Sequence, residues 1–324
     1  VEFYCKFYRT MLKYEKQIKQ KERIRMKINI LSIMFAFMLS ISASAGEKIT
    51  MILAGSPGGT FNAFNAELIK DLEKAGYEVD AQPGGSMIKG GQIYSGLNKE
   101  NVFVFLPSSQ LNAEDDFVDR EHTVNTTEKH NFMFGVVNYK SLCVKSGTDL
   151  NTVFNTGNLL KIGMNEGERI NDKYVERWNK VTKSKNIMVP YNSSGKQIKG
   201  LVTGDIDVTL VNEAKALRFS KEGLVTCNYT TNPNGGNGFD PLASKINDSW
   251  FGWKYEYLLL GHLKNSDTEF SKRFHKVVTA IINDPTSNAG KKIAKNGWFA
   301  QDLSQKDLKK KYKKVYKATS KLLK

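Results

Sequence analysis

The chain has 324 residues, with 48 Lys and Arg against 33 Asp and Glu, which gives a formal net charge of +15 at pH 7. Much of this excess lies near the two ends of the sequence, and basic residues are not interleaved with aromatic residues elsewhere. A nucleic-acid partner is therefore not expected. Three cysteines and four scattered histidines show no metal-ligand spacing, so neither a metal ion nor a cofactor is expected.

The first predicted element is a secretory signal peptide at residues 26–45. Met26-Lys27 precedes an apolar stretch from Ile28 to Ile41, and Ala43-Ser44-Ala45 has the small residues of a cleavage site. A transmembrane helix needs about 20 apolar residues, so export with cleavage near Ala45 is favoured over retention as an anchor. Residues 1–25, which are rich in Lys and Arg, are interpreted as an extension upstream of the true translation start.

The chain after the signal peptide begins with alternating strand and helix patterns. The predicted strands are Ile49 to Leu53, Tyr77 to Ala81 and Val102 to Leu106, and the predicted helices carry Phe61, Phe64, Leu68 and Leu72, then Met87 and Tyr94. Apolar residues recur at helical spacing between short apolar runs. This order predicts a βαβαβ unit with a parallel sheet.

Each predicted strand of this unit is followed by a loop of small residues. The loops are Ser56-Pro57-Gly58-Gly59-Thr60, Gln82-Pro83-Gly84-Gly85-Ser86 and Pro107-Ser108-Ser109. Ligands of open α/β sheets bind outside the carboxyl ends of the strands, and successive backbone N–H groups can converge on one anion. Either glycine loop alone would be read as a tight turn. Together they predict a site in which backbone and hydroxyl donors hold a small carboxylate.

The same alternation of strand and helix patterns resumes beyond residue 130 and predicts a second α/β lobe. Strand patterns lie at 132–137, 142–144, 162–164, 187–189 and 207–211, with helical patterns around 174–181 and 198–202. A further strand at 255–260 and helical patterns at 270–282, 287–295 and 304–323 end the chain, after a loop at 232–238. Cys143 and Cys227 remain after processing, and they form either a disulfide or two buried free thiols.

Several short motifs, taken in order, resemble those of the periplasmic solute-binding receptors of tripartite tricarboxylate transporters, the Bug-type receptors. They are Pro57-Gly58-Gly59-Thr60, the segment from Val79 to Met87, Val189-Pro190-Tyr191 with Gly204-Asp205-Ile206-Asp207, Trp250-Phe251-Gly252, and Asp284-Pro285. Each motif alone is weak, whereas their order along the whole processed chain is specific.

The resemblance implies a two-lobed α/β fold of the type II periplasmic-binding-protein, or clamshell, kind, with each lobe a mostly parallel sheet flanked by helices. Lobe one is expected to comprise residues 46–136 with 250–324, and lobe two residues 137–249. A periplasmic, monomeric receptor is implied that captures a small organic carboxylate between the lobes. Its expected partner is the set of membrane permease subunits of a tripartite transporter.

The predicted ligand-binding residues come from both lobes. In lobe one they are Ser56, Pro57, Gly58, Gly59, Thr60, Asn62, Pro83, Gly84, Gly85, Ser86, Ser108 and Ser109; in lobe two they are Asn165, Gly167, Tyr191, Ser193, Ser194 and Asn212.

The sequence departs from the family pattern in two places that bear on the ligand. Asn62 stands where the family often has Asp, so an amino-acid ligand is disfavoured. Glu166 and Glu168 would repel a di-acid unless Arg169 offsets them, which favours a monocarboxylate or a partly polar ligand.

Other functions fit the sequence less well. An enzyme is not expected, because the first glycine loop lacks the G-K-S/T ending of a phosphate loop and no catalytic triad pattern appears. A TAXI-type receptor of a tripartite ATP-independent transporter shares the glycine-rich opening from Gly55 to Phe61, but Val189-Pro190-Tyr191 and Trp250-Phe251-Gly252 argue against it. A ligand-binding component of a sensory system remains an alternative.

Overall fold

The structure is a computed structural model that describes residues 46–55, 57–97, 99–108, 130–166, 170–252, 254–262 and 269–323. The predicted upstream extension and signal peptide lie outside these ranges. The described residues within Lys48–Lys74 and Glu78–Lys324 belong to one compact unit, which contains both sheets described below.

The first sheet has six strands, drawn from two separate parts of the sequence. They are β1 (Lys48–Leu53), β2 (Glu78–Pro83), β3 (Val102–Pro107), β4 (His130–Asn138), β11 (Tyr255–His262) and β12 (Phe299–Gln301). The order across the sheet is β12-β4-β11-β3-β1-β2. Strands β1, β2 and β3 pair in parallel, as the predicted βαβαβ unit requires.

Among the described residues, five helices accompany the first sheet: α1 (Thr60–Lys74), α2 (Met87–Gly96), α7 (Glu269–Asn283), α8 (Asn288–Lys295) and α9 (Gln305–Leu323). Helix α1 buries Phe61, Phe64, Leu68 and Leu72, the residues whose helical spacing predicted it. The Phe61 ring lies 4.6 Å from the ring of Tyr257 in β11, in an edge-to-face arrangement. Aromatic packing therefore fixes the start of α1 against the returning strand.

The second sheet also has six strands: β5 (Lys140–Lys145), β6 (Lys161–Asn165), β7 (Ile187–Tyr191), β8 (Val208–Asn212), β9 (Val225–Thr230) and β10 (Asp240–Pro241). Their order is β10-β9-β5-β8-β6-β7. The accompanying helices are α3 (Ile170–Thr182), α4 (Ser194–Thr203), α5 (Glu213–Lys221) and α6 (Leu242–Ile246), with 3₁₀ helices at Leu150–Phe154 and Ser249–Phe251. One face packs around Tyr174, Trp178 and Phe251, and the other around Ile198 and Leu201.

The predicted class of two α/β sheets is confirmed, and both sheets are mixed. Strand β11 runs antiparallel to β3 and β4, and β5 runs antiparallel to β8 and β9. In the first sheet, the antiparallel strand β11 is added when the chain returns from the second sheet. The chain first changes sheets at Tyr139, between β4 and β5.

Cys143 in β5 and Cys227 in β9 are joined by a disulfide. They are directly opposed partners in antiparallel strands, with Cα atoms 4.3 Å apart and a sequence separation of 84. Of the two alternatives open from the sequence, the structure has the disulfide. A cross-link that closes a loop of this length stabilises the fold by about 4 kcal/mol in the loop-entropy model.

Seven elements among the described residues were not predicted: helices α5 and α6, strand β9, the very short strands β10 and β12, and the two 3₁₀ helices. The predicted loop at 232–238 contains no helix or strand, and an isolated bridge joins Gly236 to Phe239. Loops of this kind leave the element order of the fold unchanged.

Candidate functional site

A cavity of about 300 Å³ lies where segments following strands of both sheets meet. The lining residues from the first-sheet side are Gly55, Pro57, Gly59, Thr60, Phe61, Gly85, Ser86, Met87, Ile88, Pro107 and Tyr257. Those from the second-sheet side are Asn165, Glu166, Tyr191, Asn192, Ser193, Ser194 and Asn212. The cavity therefore lies beyond the carboxyl ends of strands, where open α/β sheets place their ligands.

Four helices begin at the cavity, two from each sheet. Thr60 is the first residue of α1, and Ser86 is the N-cap of α2. Ser193 is the N-cap of α4, and Asn212 is the N-cap of α5. The first N–H groups of a helix have no partner within the helix, and the helix dipole adds partial positive charge there. The cavity wall is therefore suited to an anion.

The two N-cap serines have the same local geometry. Ser86 Oγ accepts a hydrogen bond from Lys89 N at 3.1 Å, and Ser193 Oγ accepts one from Lys196 N at 3.3 Å. Each hydroxyl proton is not used by this bond, so the same serine can still donate to a ligand. Both residues were predicted as ligand contacts, and each also stabilises its own helix.

The second glycine loop is built by close packing. Gly84 N donates to Leu53 O at 3.0 Å, and a Cβ atom at Gly84 would lie 2.9 Å from that same oxygen and 3.0 Å from the Cα of Gly90. Gly85 has a φ of +72°, which a side chain disfavours, although the space around it is open apart from Lys89. Gly84 therefore lets β1 and α2 approach, while Gly85 makes the turn that faces the cavity.

Asn212 is oriented by a buried hydrogen bond from the first sheet. Asn138 Nδ2 donates to Asn212 Oδ1 at 2.7 Å and lies 3.3 Å from the hydroxyl of Tyr257. Because Asn212 accepts through its side-chain oxygen, its NH₂ group is left to donate into the cavity. Asn212 thus has a fixed orientation in which it offers donors, as a carboxylate ligand requires.

The lining residues named above include one carboxylate, Glu166, which is exposed, and no Lys, Arg or His. Burial, followed by the charge of Asp205, raises the pKa of the Tyr191 phenol. Tyr191 is therefore a neutral hydroxyl at physiological pH. Lys215 in α5 is a cation outside the lining that contacts it, because Lys215 Nζ donates a hydrogen bond to Oγ1 of the lining residue Thr60 at 2.8 Å.

The structure brings many of the predicted site residues together, although no ligand tests their roles. Ten line the cavity: Pro57, Gly59, Thr60, Gly85, Ser86, Asn165, Tyr191, Ser193, Ser194 and Asn212. Five described residues do not line it: Gly58, Asn62, Pro83, Gly84 and Ser108. Ser56, Ser109 and Gly167 lie outside the described residues, as do Glu168 and Arg169.

Sequence reasoning did not place six lining residues at the site: Gly55, Phe61, Met87, Ile88, Asn192 and Tyr257. Pro107 and Glu166, which also line the cavity, were placed near the site by the sequence but not named as ligand contacts. Most of the six adjoin a predicted loop, so extending each loop by one or two residues would have found them. Tyr257 lies inside a buried strand far along the chain, and its sequence context resembles that of any core tyrosine. Only the pairing of β11 with β3 and β4 brings it to the cavity.

Comparison with known proteins gives structural matches alone, since no family model and no curated protein matches the chain. The solved periplasmic binding protein BugD is 11% identical with a TM-score of 0.69, over 85% of this chain and 96% of BugD. MatC from Rhodopseudomonas palustris, solved with malate, is 13% identical with a TM-score of 0.67, over 86% of this chain and 99% of MatC.

The chain has a periplasmic-binding-protein fold. A further R. palustris protein, solved with adipate, is 12% identical with a TM-score of 0.68, over 85% of this chain and 96% of its own. The expected resemblance to Bug-type receptors is thus confirmed at the level of the fold. Identities this low leave the ligand to be argued from the cavity itself.

The described residues contain neither a candidate membrane-spanning helix nor a candidate metal-binding cluster. No helix among them is long and apolar enough to cross a bilayer. No group of three or more His, Cys, Asp or Glu among them is arranged to hold a metal ion.

Proposed function

We propose that the protein is a periplasmic receptor that binds a small organic carboxylate in the cavity between its two sheets and releases it to a membrane permease. The observation that carries this proposal is the meeting of four helix N-termini, two from each sheet, at one cavity. Converging N–H groups and helix dipoles favour an anion.

The size of the cavity agrees with a small ligand. A volume of about 300 Å³ is at the lower end of the range for small-molecule sites. Malate and adipate, the molecules present in two structures of the same fold, are short-chain carboxylates of that scale. The residues proposed to hold the ligand are the ten predicted residues that line the cavity, together with Ser56, Ser109 and Gly167.

Binding is proposed to draw two lobes together. The lobes are residues 46–136 with 250–324 and residues 137–249, and the change of sheet at Tyr139 supports a boundary there. A carboxylate that accepts hydrogen bonds from the glycine loops and from Ser193 and Asn212 at once binds the closed form more tightly than the open form. Its differential affinity then shifts the population toward closure, which a permease can recognise.

Glu166 favours a ligand with a single carboxylate or with a polar second end. It is the acidic residue among the described residues of the lining, and a ligand carboxylate placed beside it would be repelled. The described first-sheet lining residues include no Asp or Glu, and Asn62 does not line the cavity, so this side offers no carboxylate to a ligand amine. This feature supports an organic acid over an amino acid.

Binding without turnover is proposed, and no enzymatic role is assigned. The described lining residues include hydrogen-bond donors and a fixed amide, but no histidine or cysteine to act as base or nucleophile. Delivery to a sensory partner or a TAXI-type permease would use the same site. Genes for a large and a small permease subunit next to this gene would favour the tripartite tricarboxylate type.

A thermal-shift screen tests the proposal. Protein purified from the periplasm of an expression host is mixed with mono-, di- and tricarboxylates, and with the matching neutral amides as controls. A ligand that binds the folded state raises the melting temperature, by an amount that grows with its concentration relative to Kd. We expect a carboxylate to stabilise the protein and its amide to have no effect. Stabilisation by no carboxylate contradicts the proposal.

A further inference from the structure

A lysine outside the cavity lining connects the two sheets at the ligand site. Lys215 lies in α5, three residues after the lining residue Asn212. Its Nζ donates to Oγ1 of Thr60, the first residue of α1, at 2.8 Å. Thr60 is itself a lining residue. The ammonium of Lys215 is therefore hydrogen-bonded directly to a residue of the cavity lining.

The surroundings of Lys215 are poor in negative charge. The side chain is half-buried, and among the described residues its recorded partner is the neutral Thr60 hydroxyl, with no carboxylate within ion-pair distance. The charged groups that act on it are Arg218 of its own helix and Lys292 of α8, both cations.

The nearest acidic residue in the sequence is already engaged. Glu213, two residues earlier in α5, is buried and accepts hydrogen bonds from the hydroxyl of Thr230 and from Asn237 Nδ2. A partly desolvated cation without a counter-ion is unfavourable, and an anion placed nearby relieves that penalty.

We infer that Lys215 supplies the positive charge of the ligand site, acting on a bound carboxylate through and beside Thr60. This inference rests on the proposed function. Among the described lining residues the charged group is the carboxylate of Glu166, so the helix N-termini and the neutral side-chain donors would have to hold the anion against it. Lys215 offsets the negative charge of Glu166. Lys215 lies in α5 beside the second sheet and Thr60 in α1 beside the first, so their hydrogen bond also couples anion binding to the approach of the two sheets.

The protonation of Lys215 gives this role a measurable signature. Burial, then the charges of Arg218 and Lys292, lower the pKa of Lys215 to about 8. Below that pH the ammonium is charged and attracts a carboxylate, and above it the amine is neutral. A bound carboxylate stabilises the charged form, so binding takes up a proton near this pH. Affinity is therefore expected to fall as the pH rises from 7 to 9.5.

The experiment compares three variants by titration calorimetry with the carboxylate found in the thermal-shift screen, at pH 7 and pH 9.5. Lys215→Met removes the charge and keeps an unbranched side chain. Lys215→Arg keeps a charge that does not titrate in this range. Lys292→Met is the matched control, since it removes a neighbouring cation that lies outside the lining.

For the wild type we expect affinity to drop about tenfold between pH 7 and pH 9.5, a value between those for one unit charge acting through bulk water and one acting near a protein surface. Lys215→Met should bind about tenfold more weakly at pH 7 and show a flat pH profile. Lys215→Arg should bind as the wild type does at pH 7 and keep that affinity at pH 9.5. Lys292→Met should retain the wild-type affinity at pH 7.

Wild-type affinity and pH profile in Lys215→Met would overturn the inference and leave the proposed function standing. A merely structural role for Lys215 would lower the melting temperature of both Lys215 variants without changing the pH profile, and that result also overturns it. If Lys215→Met does not fold, the Lys215→Arg profile decides, because a fall at pH 9.5 like that of the wild type contradicts the inference. Failure of the wild type to bind any carboxylate contradicts the proposed function itself.

Discussion

The cavity has two walls, one formed by the lining residues on the first-sheet side and one by those on the second-sheet side, and they provide hydrogen-bond donors by different means. The first-sheet wall relies on backbone that glycines allow to pack closely, with Gly84 held against Leu53 and Gly90. The second-sheet wall relies on side chains that neighbours hold in place, such as Asn212, which is fixed by Asn138. Backbone donors carry no information beyond position, whereas side chains can be exchanged to suit a ligand. The comparison suggests that the first wall provides anion binding and the second wall provides selectivity.

Breaking the first wall should have the largest effect. A Cβ atom at Gly84 would meet backbone atoms at 2.9 and 3.0 Å, which cannot move away as a flexible side chain would. We expect Gly84→Ala to lower the free energy of unfolding by about 2–3 kcal/mol, within the range for overpacking, and to weaken binding of every carboxylate alike. Urea denaturation and calorimetry measure the two effects.

Gly85→Ala is the matched control for that variant. Its added Cβ would touch only Lys89, but its φ of +72° strains any residue other than glycine, so a loss of about 1 kcal/mol is expected. If both variants lost the same free energy of unfolding, the close packing of Gly84 against Leu53 in β1 would not be the cause of its larger expected effect.

Changing the second wall should alter the ligand more than the fold. Asn212→Asp keeps the oxygen that accepts from Asn138 Nδ2 but removes the amide donors and adds a negative charge beside the ligand. We expect a small change in stability, below about 1 kcal/mol, and a loss of carboxylate affinity of at least tenfold.

Asn212→Ala separates the two functions of the side chain. It leaves the buried Asn138 amide without this acceptor, so it should lower the free energy of unfolding by about 1–2 kcal/mol. A larger stability loss for Asn212→Asp than for Asn212→Ala would contradict the assigned hydrogen bond.

The smallest expected change in stability comes from the N-cap serine that each wall contains. Ser86 and Ser193 cap α2 and α4 with the same bond from side-chain oxygen to backbone N–H. Replacing either with alanine should lower the free energy of unfolding by about 1 kcal/mol, and replacing either with glycine by a few tenths. Chemical denaturation of the four variants measures this. A marked difference between the two serines would mean that the walls differ even in helix capping.

The sequence predicted most elements of both sheets because each is long enough to show a period. The spacing of Phe61, Phe64 and Leu68 identifies α1, and the unbroken apolar run in β3 identifies a strand covered on both faces. Strand β12 has three residues, and α5 has few apolar residues in a polar sequence. Neither length nor composition gives such elements a readable pattern.

The site was predictable to the extent that its residues follow strands. Pro57, Gly85 and Ser193 lie in loops after β1, β2 and β7, and a rule about strand ends is sufficient to find them. The contacts that orient the site join distant parts of the chain: Asn138 reaches Asn212 across 74 residues, and Lys215 reaches Thr60 across 155. Such contacts depend on the tertiary fold, which residue spacing along one sequence does not contain.

The bond between Cys143 and Cys227 has a consequence for where the protein matures. It joins β5 to β9, and β5 is also the neighbour of β8, the strand that ends at Asn212. Thiol oxidation therefore cross-links β5, the strand that pairs with β8 and so supports the position of Asn212. The bond forms only under oxidising conditions, so a molecule kept in a reducing environment lacks this covalent link between β5 and β9.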